Sequence, residues 1–159
     1  MESICLYRLV HHSDRVPRED HHTAQRFHLL ACSSQVHSRN THYSVGVEYI
    51  EVNTNRVVAK LPITEKITQP LGLLHGGISV CFAESLASVG SQLFVDSDSF
   101  CLGLEINANH VSSGQVGDTV IGVATPLSIG KRAQVWDVSF RATICMLPDA
   151  LNNLMPTMS

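Results

Sequence analysis

The residues most able to do chemistry lie in one stretch, "QPLGLLHGGISVCFAESLASVG", residues 69–90. Between Lys66 and Asp96, Glu84 is the only formally ionised side chain, set among Val80, Cys81, Phe82, Ala83, Leu86 and Val89. Burying an unpaired carboxylate is costly, and its pKa would rise first. Either Glu84 sits on a solvent stripe beside Ser85, Ser88 and Ser91, or it is a working carboxylate. Its company favours the second reading. Ser88, four residues on, shares its face of a helix. Gly76 and Gly77 bring unhindered backbone N–H groups to the helix start, an end suited to a carbonyl oxygen that turns negative during attack. Gln69 and His75 precede it, and each can donate a hydrogen bond to a substrate oxygen. Carboxylate, helix-end amides and polar orienters are the parts needed to pass an acyl group to water. Singly they have plainer readings: His75 as a helix cap or in a core niche, Gln69 as a loop residue, the Gly pair as a turn.

These groups need elements to position them. "YSVGVEYIEV" alternates, and "NRVVAKLPIT" follows after the short "NTN" turn, which predicts a hairpin. Pro70 and the Gly76-Gly77 pair precede a run from Ile78 to about Val95 of helical length and composition. "FCLGLEINANHV", "DTVIGVATPLSI" and "AQVWDVSFRATICML" are strand-like, separated by "SSGQVGD" and "GKR". Strands, one long helix, then more strands predict an α+β layer of one helix on an antiparallel sheet.

The totals narrow the function classes. A chain of 159 residues holds one domain. A net charge of −3 with 44% hydrophobic residues argues against a nucleic-acid partner. No apolar run approaches the roughly 20 residues of a membrane-spanning helix, and the N-terminus is not of signal-peptide type. Five cysteines, odd in number and mostly in apolar surroundings, point to reduced thiols, hence a cytoplasmic setting, with an organelle such as a plastid or peroxisome as the alternative.

Residues 1–42 stand apart. Seven of the nine histidines fall there, with no sustained period, so they are expected to be a poorly ordered leader before a domain at 43–148 and a tail at 149–159. The pairs His11-His12 and His21-His22 lack the companion ligands of a structural zinc site, so no metal is expected. Five Arg and no Lys hint at a transit peptide, against which stand Glu2, Asp14, Glu19 and Asp20.

"QPLGLLHGG" followed by "AES", then "GLEINANHV" and "GKRAQVW", resembles the hotdog-fold acyl-CoA thioesterases, in the branch acting on aromatic acyl thioesters. Within it the chain resembles members that cleave 1,4-dihydroxy-2-naphthoyl-CoA in quinone synthesis. The resemblance covers about residues 43–138. It implies a central helix wrapped by a curved antiparallel sheet, a homodimer or a tetramer of two dimers with sites at the dimer interface, and hydrolysis without a cofactor. It implies Glu84 as nucleophile or base, Gly76 as the amide that polarises the thioester carbonyl, and Gln69, His75 and Gly77 beside it. Ser88 would lie near the attacking water, and His110 close to the acyl group with Asn109. Lys131 and Arg132 are candidate contacts for the CoA phosphates, though basic turns are usually only solvated. A strand histidine such as His110 can equally face solvent or sit in the core. The same fold hosts dehydratases that use a His with an acid, but their more polar helix start is lacking here.

The chain departs from the pattern twice. "HVSSG" lacks the Arg that close relatives carry after the position of His110. Val138 runs on through "SFRATICML" without a turn signal, so the last hairpin is expected to be truncated: either the chain is an isoform lacking an internal segment or it forms one long strand with an unpaired edge, and a non-catalytic or inactive isoform is the alternative function.

Overall fold

Alternation decides the sheet. In the computed structural model, which describes residues 44–96 and 99–142 and the backbone of 4–12 and 143, the strands are β1 (Ile4–His12), β2 (Glu48–Val52), β3 (Val57–Pro62), β4 (Phe100–Ala108), β5 (Thr119–Ile129) and β6 (Ala133–Thr143). One helix, α1 (Gly76–Gln92), follows β3. Val57, Ala59 and Leu61 of β3 and Gln134, Trp136, Val138 and Phe140 of β6 are buried, while the residues between them are only half-buried. That period of two turns one face of the sheet onto α1, which meets it with Phe82, Ala83, Leu86 and Ala87. Fully burying a side chain such as Phe82 or Leu86 is worth about 1.5–3 kcal/mol.

All pairings are antiparallel, in the order β2-β3-β5-β6-β1-β4. The expected hairpin is β2–β3, and its turn is closed by Asn53, whose Oδ1 accepts from the backbone N–H of Asn55 (2.9 Å) and Arg56 (3.0 Å). The helix starts two residues before the expected Ile78, because the His75 side chain caps it.

The expectation of an open edge beside β6 is not met. β1 runs along it from Ile4 opposite Ser139 to Val10 opposite Ala133, and on its other side pairs with β4. Ile4–His12 therefore lies in the sheet rather than in a separate leader. A strand of 9 residues held on both sides draws its stability from backbone pairing with distant strands, which local periodicity does not report. The remainder of the expected leader, the His21-His22 pair and the tail at 149–159 lie outside the described residues.

Glycines let α1 come close. A Cβ on Gly122 would stand 2.9 Å from the rings of both Phe82 and Phe140, which stack with centroids 5.2 Å apart. A Cβ on Gly90 would stand 2.5 Å from Cη2 of Trp136, a fully buried ring. Gly90→Ala should gain about 1 kcal/mol of helix propensity and lose more to overpacking. A net destabilisation of about 1–2 kcal/mol in urea unfolding is expected; an unchanged or raised midpoint would mean that the ring has room to yield.

Candidate active site

The start of α1 is fixed from two sides. Leu74 N–H donates to Gly114 O (2.8 Å) and His75 N–H to Ile67 O (2.9 Å), tying the loop before the helix to the segments that flank β3 and β5. His75 is the N-cap, with extended backbone (φ −69°, ψ 127°), and its Nδ1 accepts from Gly77 N–H at 3.0 Å. His75 is exposed and takes the capping role open to it, so Gly77 N–H is used up within the protein. Gly76 N–H is different: it has no acceptor among the described residues. As the first amide of a 17-residue helix it carries the partial positive charge of the macrodipole.

Gly76 lines a cavity of about 360 Å³. Gln69, Gly76, Ser79, His110, Ser112 and Ser113 supply its polar lining, and Leu74, Val111, Val120 and Phe140 its apolar lining. The structure thus brings together three residues singled out from the sequence, Gln69, Gly76 and His110. The His110 ring lies over Gly76, its Cε1 and Nε2 each 3.4 Å from where a Gly76 Cβ would be, and its Nε2 is 2.7 Å from Ser79 Oγ.

Other candidates lie elsewhere. Glu84 is exposed, not part-buried as a working carboxylate would gain from being. It is also eight residues from Gly76, a rise of about 12 Å along the helix, so its own chain does not bring it to the cavity. Ser88, half-buried, follows one turn later; Ser91, expected on the same stripe, is fully buried, its carbonyl accepting from Gln134 Nε2 at 3.3 Å. Asn109 is exposed beside His110 but does not line the cavity. Lys131 and Arg132 are exposed in the β5–β6 turn and likewise do not line it.

Electrostatics near Glu84 discriminate between two possible nucleophiles on the same helix. Cys81, half-buried one turn earlier, has its thiol pKa raised by burial first and by the Glu84 charge second, against a smaller lowering by Ser85. A thiol held protonated is a poor nucleophile. Ser79, Phe140 and Val120 were not singled out from the sequence. Ser79 had one signal, its place one helical turn after Gly76; Phe140 and Val120 had none, because only sheet closure brings β5 and β6 to the helix start.

Comparison with known proteins places this geometry. The family model described as "Thioesterase superfamily" matches residues 71–147. A 1,4-dihydroxy-2-naphthoyl-CoA hydrolase of Listeria monocytogenes is 44% identical over 95 residues, 60% of this chain and 76% of that protein. The chain belongs to the thioesterase superfamily. A protein of the same name from Escherichia coli is 42% identical over 94 residues, 59% of this chain and 68% of that one. Among solved structures, a thioesterase from Haemophilus influenzae matches with a TM-score of 0.57 and 26% identity, over 72% of this chain and 90% of that one. This thioesterase has the hotdog fold, one long helix packed on a curved antiparallel sheet. None of its helices among the described residues is long and apolar enough to cross a membrane.

Proposed function

We propose that this thioesterase hydrolyses an aromatic acyl-CoA of the 1,4-dihydroxy-2-naphthoyl kind, as in quinone synthesis, to the free acid and CoA. The observation that carries the reading is the unpartnered N–H at the head of α1 on Gly76, a residue that lines a cavity with Gln69 and His110. A thioester carbonyl oxygen placed there gains a hydrogen bond that strengthens as it becomes an oxyanion. Leu74, Val120 and Phe140 give the acyl ring an apolar bed. The names of the Listeria and Escherichia relatives support the choice of acyl group.

Glu84 serves as nucleophile or as the base that activates water. In the second case the water oxygen bonds to the carbonyl carbon, the C–S bond breaks, and the water's proton passes by way of Glu84 to the leaving thiolate. Because Glu84 does not reach the cavity of its own chain, it acts on that of a second copy. The edge strand β4 supports such pairing: Leu102 and Leu104 on it are 51% and 53% exposed, an apolar edge that a monomer would leave open. A homodimer follows, or a tetramer of two such dimers. The reaction belongs in the cytoplasm, where Cys81 and Cys101 stay reduced. The alternative of a non-catalytic form rests on the truncated last hairpin and the foreign N-terminal segment, and part of that segment, β1, pairs along β6.

The test is CoA release followed with a chromogenic disulfide, on benzoyl-CoA, 1,4-dihydroxy-2-naphthoyl-CoA and palmitoyl-CoA. An aromatic substrate should lead in kcat/KM by at least about tenfold. A lead for palmitoyl-CoA would overturn the aromatic assignment, and no release from any of them would overturn the hydrolase.

A further inference from the structure

Ser79 sits in the first turn of α1, buried to 6% exposure, with Oγ 2.7 Å from Gly76 O and 2.7 Å from His110 Nε2. Two contacts this short each need a proton between the heavy atoms. A carbonyl oxygen has none to give, so the hydroxyl proton points to Gly76 O. Ser79 Oγ is then left only as an acceptor, and the proton in its contact with His110 must sit on Nε2. Neutral His110 is thereby held as the Nε2–H tautomer, with the lone pair on Nδ1. Nδ1 has no partner among the described residues, and the ring lines the cavity. Whatever neutral His110 offers a ligand by hydrogen bonding, it offers as an acceptor.

We infer that Ser79 is a positioning residue that fixes the tautomer of His110, and that the site thereby selects acyl groups carrying a hydroxyl. The selection rests on the cavity being the acyl site, as proposed above. A thioester carbonyl can only accept, so neutral His110 does not polarise it; that task stays with Gly76 N–H. A hydroxyl on the acyl ring can donate to Nδ1, whereas an unsubstituted ring laid against His110 covers that nitrogen without pairing it, the kind of mismatch that discriminates strongly between substrates. Removing the Ser79 hydroxyl frees the ring to put its proton on either nitrogen, and the preference weakens.

Two readouts test this on the full chain. Long-range 15N–1H spectra at about pH 8, with the His110 signals identified by their loss in His110→Gln, should show a protonated Nε2 and a bare Nδ1 in the unmodified protein. In Ser79→Ala the two nitrogens should move toward averaged shifts, and Ser79→Thr should restore the split. A protonated Nδ1 in the unmodified protein, or an unmoved split in Ser79→Ala, would overturn Ser79's hold on the ring. In kinetics, the ratio of kcat/KM for the best monohydroxybenzoyl-CoA isomer over benzoyl-CoA should fall about tenfold in Ser79→Ala and recover in Ser79→Thr. An unchanged ratio would overturn the selection. If even the unmodified protein cleaves none of these thioesters, the hydrolase reading fails and takes the selection with it, while the spectra still decide the tautomer.

Discussion

Glu84→Gln should lower kcat on an aromatic acyl-CoA by about 10³-fold or more and leave the melting temperature within about a degree. The substitution keeps shape and polarity and removes only the charge and the ability to take a proton or attack a carbonyl. Its stability effect should be small because Glu84 is exposed on α1 and the core beneath is made by Phe82, Ala83, Leu86 and Ala87. Cys81 offers a check that the charge has gone. With the Glu84 contribution removed, its thiol pKa should fall, so at a fixed pH near neutrality its alkylation should quicken modestly, burial remaining the larger restraint. Turnover retained within about tenfold of the unmodified protein would show that another group activates water.

Residue types and spacing carried the elements far and the site only part of the way. β3 and β6 were legible because their alternate residues are buried, and α1 because an apolar run of helical length follows a glycine pair. β1 was not: nothing local in Ile4–His12 says that it will lie between β6 and β4, whose own residues are more than 80 positions away in the chain. Gly76 and Gln69 were legible as a helix-start donor and its neighbour, since both are local to one turn of chain. The cavity wall made by Val120 and Phe140 was not, because those residues read as ordinary strand interior until β5 and β6 close over the helix start. Glu84 shows the limit most sharply. Its candidacy could be read from the company it keeps on the helix, but its exposure in a single chain follows from which face α1 turns to the sheet. Lys131 and Arg132 gave only a basic turn, and the fold leaves them in one.

Gly76→Pro should cost about 10²–10³-fold in kcat with the helix intact, and Gly76→Ala should cost far less. Proline at the first helical position removes an N–H that has no intrahelical acceptor in any case, and its fixed φ suits the helix. The preceding residue must be extended, and His75 already is, at φ −69° and ψ 127°. Alanine keeps the N–H, and its Cβ would meet the His110 ring at 3.4 Å, an ordinary contact. The pair therefore separates loss of the donor from the presence of a side chain. The same variant tests whether a second chain supplies the carboxylate. In an equal mixture of Gly76→Pro and Glu84→Gln chains, unfolded and refolded together, half the dimers are mixed, and in each of those one of two sites pairs an intact Gly76 with an intact Glu84. About a quarter of the unmodified activity should return from two parents that are each nearly inactive. If each site drew Gly76 and Glu84 from one chain, the mixed dimer would contain a Glu84→Gln site and a Gly76→Pro site, and mixing would restore nothing. The distance along α1 argues for the first outcome: a carbonyl held at its N-terminus is more than two helical turns from the carboxylate of the same chain.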